Sequence, residues 1–130
     1  VEPLENPLFG KIESFLQCWP DLSQGSVIAK LEEGGQLESQ LLSAMRYAHA
    51  QFIAAKDGME RAECEIHGEQ EQWGMSQAKL ERRVKQDARW RDCHKITVDM
   101  TAMRELLDRY HWSMIRLNQN LMTLYKRKED

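Results

Sequence analysis

Proline disappears from this chain after residue 20. The three prolines are Pro3, Pro7 and Pro20, and the remaining 110 residues have none. That stretch is rich in Glu, Gln, Lys, Arg, Ala, Leu and Met, the residues that build helices. Alternating runs of Val, Ile, Tyr and Phe are missing, which excludes strands as the main element. No apolar run approaches the roughly 18–20 residues that a transmembrane helix needs. The first residues lack a basic stretch followed by an apolar one, so no signal peptide is expected. Cysteine is scarce and odd in number, at positions 18, 64 and 93. An odd count argues against a secreted disulfide framework and for a reducing compartment, with the cytoplasm as first expectation.

Catalytic signatures are absent too. The chain has no G-x-S-x-G, no H-E-x-x-H and no glycine-rich phosphate loop. It has no Glu-x-x-His pair of the kind that builds di-iron sites in bundles. No enzyme activity and no cofactor are therefore expected.

What is present is helix-forming material of moderate hydrophobicity, 42% apolar and 30% charged, in a length that fits one domain. Net charge is −3, unevenly spread. Residues 1–75 carry five basic side chains (Lys11, Lys30, Arg46, Lys56, Arg61) against thirteen acidic ones; residues 76–130 carry thirteen basic against eight acidic. Two helices of opposite sign packed together explain that split. A basic half that meets an anionic partner is the competing explanation.

The pattern predicts two short helices within residues 1–35. One, over 8–18, follows Pro7 and has a face of Leu8, Ile12, Phe15, Leu16 and Trp19. The other, over 21–33, is capped by Asp21 and ended by Gly34-Gly35, since glycine readily takes the left-handed cap conformation. A first long helix is expected over 36–67. Its seam of Leu41, Met45, Ala48, Phe52, Ala55, Met59, Ala62 and Ile66 alternates steps of four and three, the heptad spacing that keeps one line facing a partner helix. Gly58 interrupts it. Residues 68–74 (GEQEQWG) read as a turn, or else as a continuation of the helix, given their Glu and Gln content.

A second long helix is expected over 75–126. Ile96, Met100, Met103, Leu107, Tyr110, Met114, Leu117, Leu121 and Leu124 follow one another in strict four–three steps across four heptads. The β-branched run Ile96-Thr97-Val98 suggests a kink near 92–98. The whole reads as an all-α bundle built on a long antiparallel helical hairpin. The two short helices bring Phe15, Trp19 and Ile28 against Leu117, Leu121 and Leu124, and the opposite end is left thinly covered.

Three groups are candidates for function. Trp112 and Ile115 lie off the main seam and mark a second apolar flank. With Leu117, Leu121 and Leu124 they form the candidate surface for a protein partner, most simply a second copy in a symmetric dimer. Lys79, Arg82, Lys85 and Arg89 are candidate anion contacts, with Trp73 and Trp90 as stacking surfaces if the anion is a nucleic acid. The plainer expectation pairs those bases with the acids of 57–71. Cys64 and His67 with Cys93 and His94 are zinc-type ligands, but adjacent helical residues diverge by about 100°, so they converge poorly and no metal site is assigned. The expected function is a non-catalytic protein–protein interaction module, an adapter, a chaperone-like binder or a subunit of an assembly. The alternative is a helical nucleic-acid binder. Far-ultraviolet circular dichroism should report well over half of the residues helical, above the roughly one-third of an average globular domain. A sheet-dominated spectrum would contradict the reading of the period.

Overall fold

A computed structural model describes residues 7–17, 24–70, 74 and 76–129. It contains α1 (Pro7–Gln17), α2 (Gln24–Gln70), α3 (Gln77–Gln86) and α4 (Ala88–Glu129). No strand occurs among the described residues. The long helices α2 and α4 pack against each other, so the all-α hairpin bundle expected from the heptads is the fold. The chain forms two compact units, one of residues 1–46 and 105–130, the other of residues 47–104. Both long helices contribute to each.

The first unit holds most of the core. Phe9, Ile12 and Phe15 of α1 are buried with Val27, Leu37 and Leu41 of α2 and Leu107, Met114, Leu117 and Leu121 of α4. Each large apolar side chain removed from water contributes about 2 kcal/mol, and Phe9, Ile12 and Phe15 are the three that α1 buries. Tyr110 adds a polar tie: its hydroxyl donates to Glu13 at 2.6 Å while its ring lies 5.3 Å from that of Phe9. Lys30, nearly buried, sets its ammonium 4.1 Å from the centre of the Phe15 ring, a cation–π contact that offsets its lost hydration.

Gly34-Gly35 does not end a helix. The second short helix expected over 21–33 is, from Gln24 onward, the first part of α2. The buried line runs through the pair as Val27, Lys30, Gly34, Leu37 and Leu41, in steps of three and four. Gly34 is there for space. A Cβ at this position would overlap the side-chain amide oxygen of Asn118 and come within 2.8 Å of Phe15 Cζ. Gly35, one residue on, faces open space. Ile28 is 39% exposed and does not cover the seam as expected; Val27 and Phe15 do. Trp19, the break at 19–21 and the Asp21 cap lie outside the described residues.

The second unit is thinner. Its buried apolar residues are Ala48, Ala55, Ala62 and Ile66 of α2 and Val84 of α3; none of residues 88–104 is buried. Ala62, Ile66 and Val84 form one cluster, with Trp90 packed on it. Alanine recurs every seven residues along this part of α2, which lets α4 come close. The approach is tightest at Gly58, where an added Cβ would lie 2.7 Å from Cys93 Sγ. This glycine does not interrupt α2; it makes room for α4. Cys93 thereby takes a seam position, and Thr97 and Met100 follow it as half-buried residues. Ile96, assigned to the seam from sequence, lies one position off this line and is 40% exposed.

The turn begins later than expected, since α2 continues through Gly68 to Gln70. Gly74 takes the left-handed conformation at φ 59°, and Ser76 caps α3, its hydroxyl accepting the Lys79 N–H at 3.4 Å. Residues 71–73 of the expected turn, and residue 75, the expected start of the second long helix, lie outside the described residues. The helix continues through 92–98, and the break in the second long helix falls at Asp87. Its backbone is extended (φ −75°, ψ 133°), its N–H bonds Val84 O at 3.1 Å, and its carboxylate accepts the Arg89 N–H at 2.9 Å. An aspartate that satisfies a helix N-terminus breaks a helix more effectively than three β-branched residues weaken one.

The glycine pair yields a test of opposite signs. Gly35→Ala should stabilise the chain by up to about 1 kcal/mol through helix propensity. Gly34→Ala should destabilise it by about 1–3 kcal/mol through overpacking. Urea unfolding midpoints should move in opposite directions; a shared direction would contradict the packing described for Gly34.

Candidate interaction surfaces

In the first unit α1 covers only one flank of the α2–α4 pair. It meets α4 at Tyr110, and a groove between it and α2 is lined by Gly10, Lys11, Ser14, Glu33, Gln36 and Gln40 among others. Among the described residues the other flank has no third helix on it. There an open groove of about 500 Å³ is lined by Glu38 of α2 and by Ile115, Asn118, Gln119, Met122, Thr123 and Lys126 of α4. Trp112 is 58% exposed, Met122 43% and Leu42 37%, while Ile115 is half-buried. On the groove's inner edge Glu38 lies 3.8 Å from His111 Nε2 and accepts from Asn118 Nδ2 at 3.5 Å.

The structure divides the partner residues expected from sequence. Trp112 and Ile115 do lie on an accessible flank. Leu117 and Leu121 are buried in the unit's own core and Leu124 is half-buried, so these leucines belong to the fold rather than to a free surface. Met122 and Leu42 were missed. A second heptad line on α4 carries the signal for Met122: positions 108, 112, 115, 119, 122 and 126 again alternate steps of four and three, on the outward face of the helix away from the buried line.

The basic segment lies in the second unit. Lys79, Arg82, Lys85 and Arg89 are all exposed, but the break at Asp87 puts Arg89 on a different helix from the other three, so the continuous stripe expected from sequence is interrupted. Arg89 is fully engaged. It forms two parallel bonds of 2.9 Å to Glu69, a 3.3 Å contact to Glu65, and two bonds of 3.0 Å to Asp87. Those bonds hold its guanidinium charged, well above the usual arginine range. They also lower Glu69 and hold the Asp87 carboxyl down at about 2, with its side-chain bond to Arg89 the main cause. The expected pairing of bases with the acids of α2 therefore occurs through this residue. Trp90 joins it, its indole N–H donating to Glu63 at 3.2 Å and its ring stacked at 4.7 Å on His94. Trp73 lies outside the described residues.

The cysteines and histidines are occupied separately. Cys93 packs on Gly58, His94 stacks on Trp90, and Cys64 is an exposed free thiol. Among the described residues no group of three or more His, Cys, Asp or Glu is placed to hold a metal ion. No helix among them is long and apolar enough to cross a membrane. No family model, no curated protein and no solved structure matches the chain.

The Arg89 cluster predicts an acid-sensitive joint. A carboxyl whose pKa is lowered by folding adds stability above its unfolded value, and that contribution is lost as pH falls toward the folded value. For Asp87 the window runs from 3.8 down to about 2. The amide resonances of Leu80, Val84 and Arg91 should shift together across that range. In Arg89→Gln they should be displaced already at neutral pH and titrate higher than in the parent, though still below the ordinary carboxylate value because the backbone N–H of residue 89 remains. An unchanged low titration in Arg89→Gln would show that another group holds the carboxyl down.

Proposed function

We propose that the chain is a non-catalytic protein–protein interaction module, an adapter or a subunit of a larger assembly, which docks its partner along the bare flank of the first unit. The observation that carries this reading is the asymmetry of that unit. Among the described residues one side of the α2–α4 pair is covered by α1, while the opposite side holds an open groove bordered by Ile115 and Met122, and Trp112 and Leu42 are exposed nearby in the chain. A half-exposed tryptophan beside aliphatic side chains is the kind of anchor that protein interfaces concentrate at their centres. The most economical partner is a second copy in a symmetric dimer. The separate structural employment of Cys93 and His94 supports the non-catalytic reading. The free thiols of Cys64 and Cys93 fit a reducing compartment, with the cytoplasm as the proposed location.

A second reading keeps one observation in its favour. Arg89 is spent on its acids, but Lys79, Arg82 and Lys85 form no ion pair among the described residues and lie on the exposed surface of α3. Such a cluster would attract a polyanion such as nucleic acid.

Light scattering on the full chain separates the readings. The interaction reading predicts a mass above that of one 15.3 kDa chain at micromolar concentration, reduced toward it by Trp112→Ser without loss of helicity. The nucleic-acid reading predicts retention of a mixed oligonucleotide pool at low salt, lost in the triple variant Lys79→Gln, Arg82→Gln, Lys85→Gln. A monomer that retains oligonucleotide would replace the first reading by the second.

A further inference from the structure

Resting on the interaction reading above, we infer that the bare flank binds a second copy of the chain through an antiparallel pairing of α4 with itself, with Asp108 facing Lys126 of the partner subunit. The argument begins with the second heptad line on α4. Its members, Asp108, Trp112, Ile115, Gln119, Met122 and Lys126, recur at the spacing that keeps one line facing a neighbouring helix. The line opens on an acid, closes on a base and holds apolar residues between them. Asp108 and Lys126 are both exposed, and neither takes part in an ion pair among the described residues. Among the described residues the line lies on the outward face of α4, away from α1, which meets α4 at Tyr110.

The charges select the geometry. A parallel pairing would set Asp108 against the partner's Asp108 and Lys126 against the partner's Lys126, which like-charge repulsion disfavours. An antiparallel two-fold axis passing midway between Ile115 and Gln119 sets Asp108 against the partner's Lys126. It also sets Trp112 against the partner's Met122, and Ile115 against the aliphatic stem of the partner's Gln119. Each pair occurs twice, as an isologous interface requires. Aromatic against methionine is a favourable contact as well as an apolar one. Sliding the register by one heptad in either direction loses this match. One shift leaves Lys126 beyond the interface and sets Asp108 against the partner's Gln119. The other leaves Asp108 unpaired and presses Lys126 on the partner's Ile115. Ile115, Gln119, Met122 and Lys126 of this line also border the open groove beside Glu38.

Charge reversal tests the pairing, because both side chains are exposed and their replacement leaves the core untouched. The full chain and three variants would be compared by sedimentation equilibrium at low salt: Asp108→Lys, Lys126→Glu, and the double reversal. Each single reversal turns two attractive pairs into two repulsive ones and should weaken the dimer roughly tenfold. The double reversal should restore it to within about threefold of the parent. Circular dichroism should be the same in all four. A dimer whose stability ignores the single reversals, or a double reversal no better than either single, would overturn this register while leaving self-association standing. A monomeric parent chain would overturn both.

Discussion

The close approach of α2 and α4 is the constraint on which the other features depend. It is permitted by what α2 lacks along its buried line: a side chain at Gly34, more than a methyl group at Ala48, Ala55 and Ala62, and a side chain again at Gly58. Two helices so close leave little volume between them for large residues, and the second unit accordingly buries mostly alanine. The large apolar side chains then need a third helix. In the first unit α1 supplies it, inserting Phe15 where Gly34 leaves space, under the ammonium of Lys30. In the second unit α3 covers Ala62 and Ile66 with Val84, and Arg89 fastens the joint that follows.

The same constraint generates the surface assigned to a partner. Two close-packed helices present two flanks, and a single short helix covers one of them. The other keeps Trp112, Ile115, Met122 and Leu42 in partial contact with water. Exposed apolar side chains at heptad spacing with a charged residue at each end are a surface that gains by association. The basic face of α3 differs in kind. Lys79, Arg82 and Lys85 are exposed, and their charges stand in water, where salt screens them. That contrast is why the flank, and not the basic segment, carries the main functional reading.

Much of this was legible in the sequence because heptad spacing survives tertiary context. The line from Leu41 to Ile66 and the line from Met100 to Leu124 are buried or half-buried at every position named for them. Misreadings arose where a residue type has two physical uses. Gly34 carries the signature of a helix end, and only the three-dimensional neighbourhood of Phe15 and Asn118 shows that it serves packing. Gly58 reads as an interruption for the same reason. The break was sought at the β-branched residues 96–98, although Asp87, a residue that prefers to cap, was available upstream. Trp112 was recognisable as off-seam, whereas Met122 was not, since methionine near a leucine line passes for core. The sign of the charge pairing was readable; that one arginine would gather Glu65, Glu69 and Asp87 was not, because it depends on where the chain turns.

A double-mutant cycle at the tightest contact of the second unit tests the close approach most directly. Gly58→Ala would be measured by urea unfolding in the parent chain and in a Cys93→Ala background. With Cys93 present, the new methyl meets Sγ at 2.7 Å and should destabilise the chain by about 1–3 kcal/mol. With Cys93→Ala the nearest atom becomes Cβ at 3.7 Å, an ordinary contact, and the same change should stabilise the chain by up to about 1 kcal/mol through helix propensity. A coupling of that sign and size is what seam-to-seam packing of α2 and α4 predicts. An effect of Gly58→Ala that is equal in the two backgrounds would mean that the two helices do not meet there.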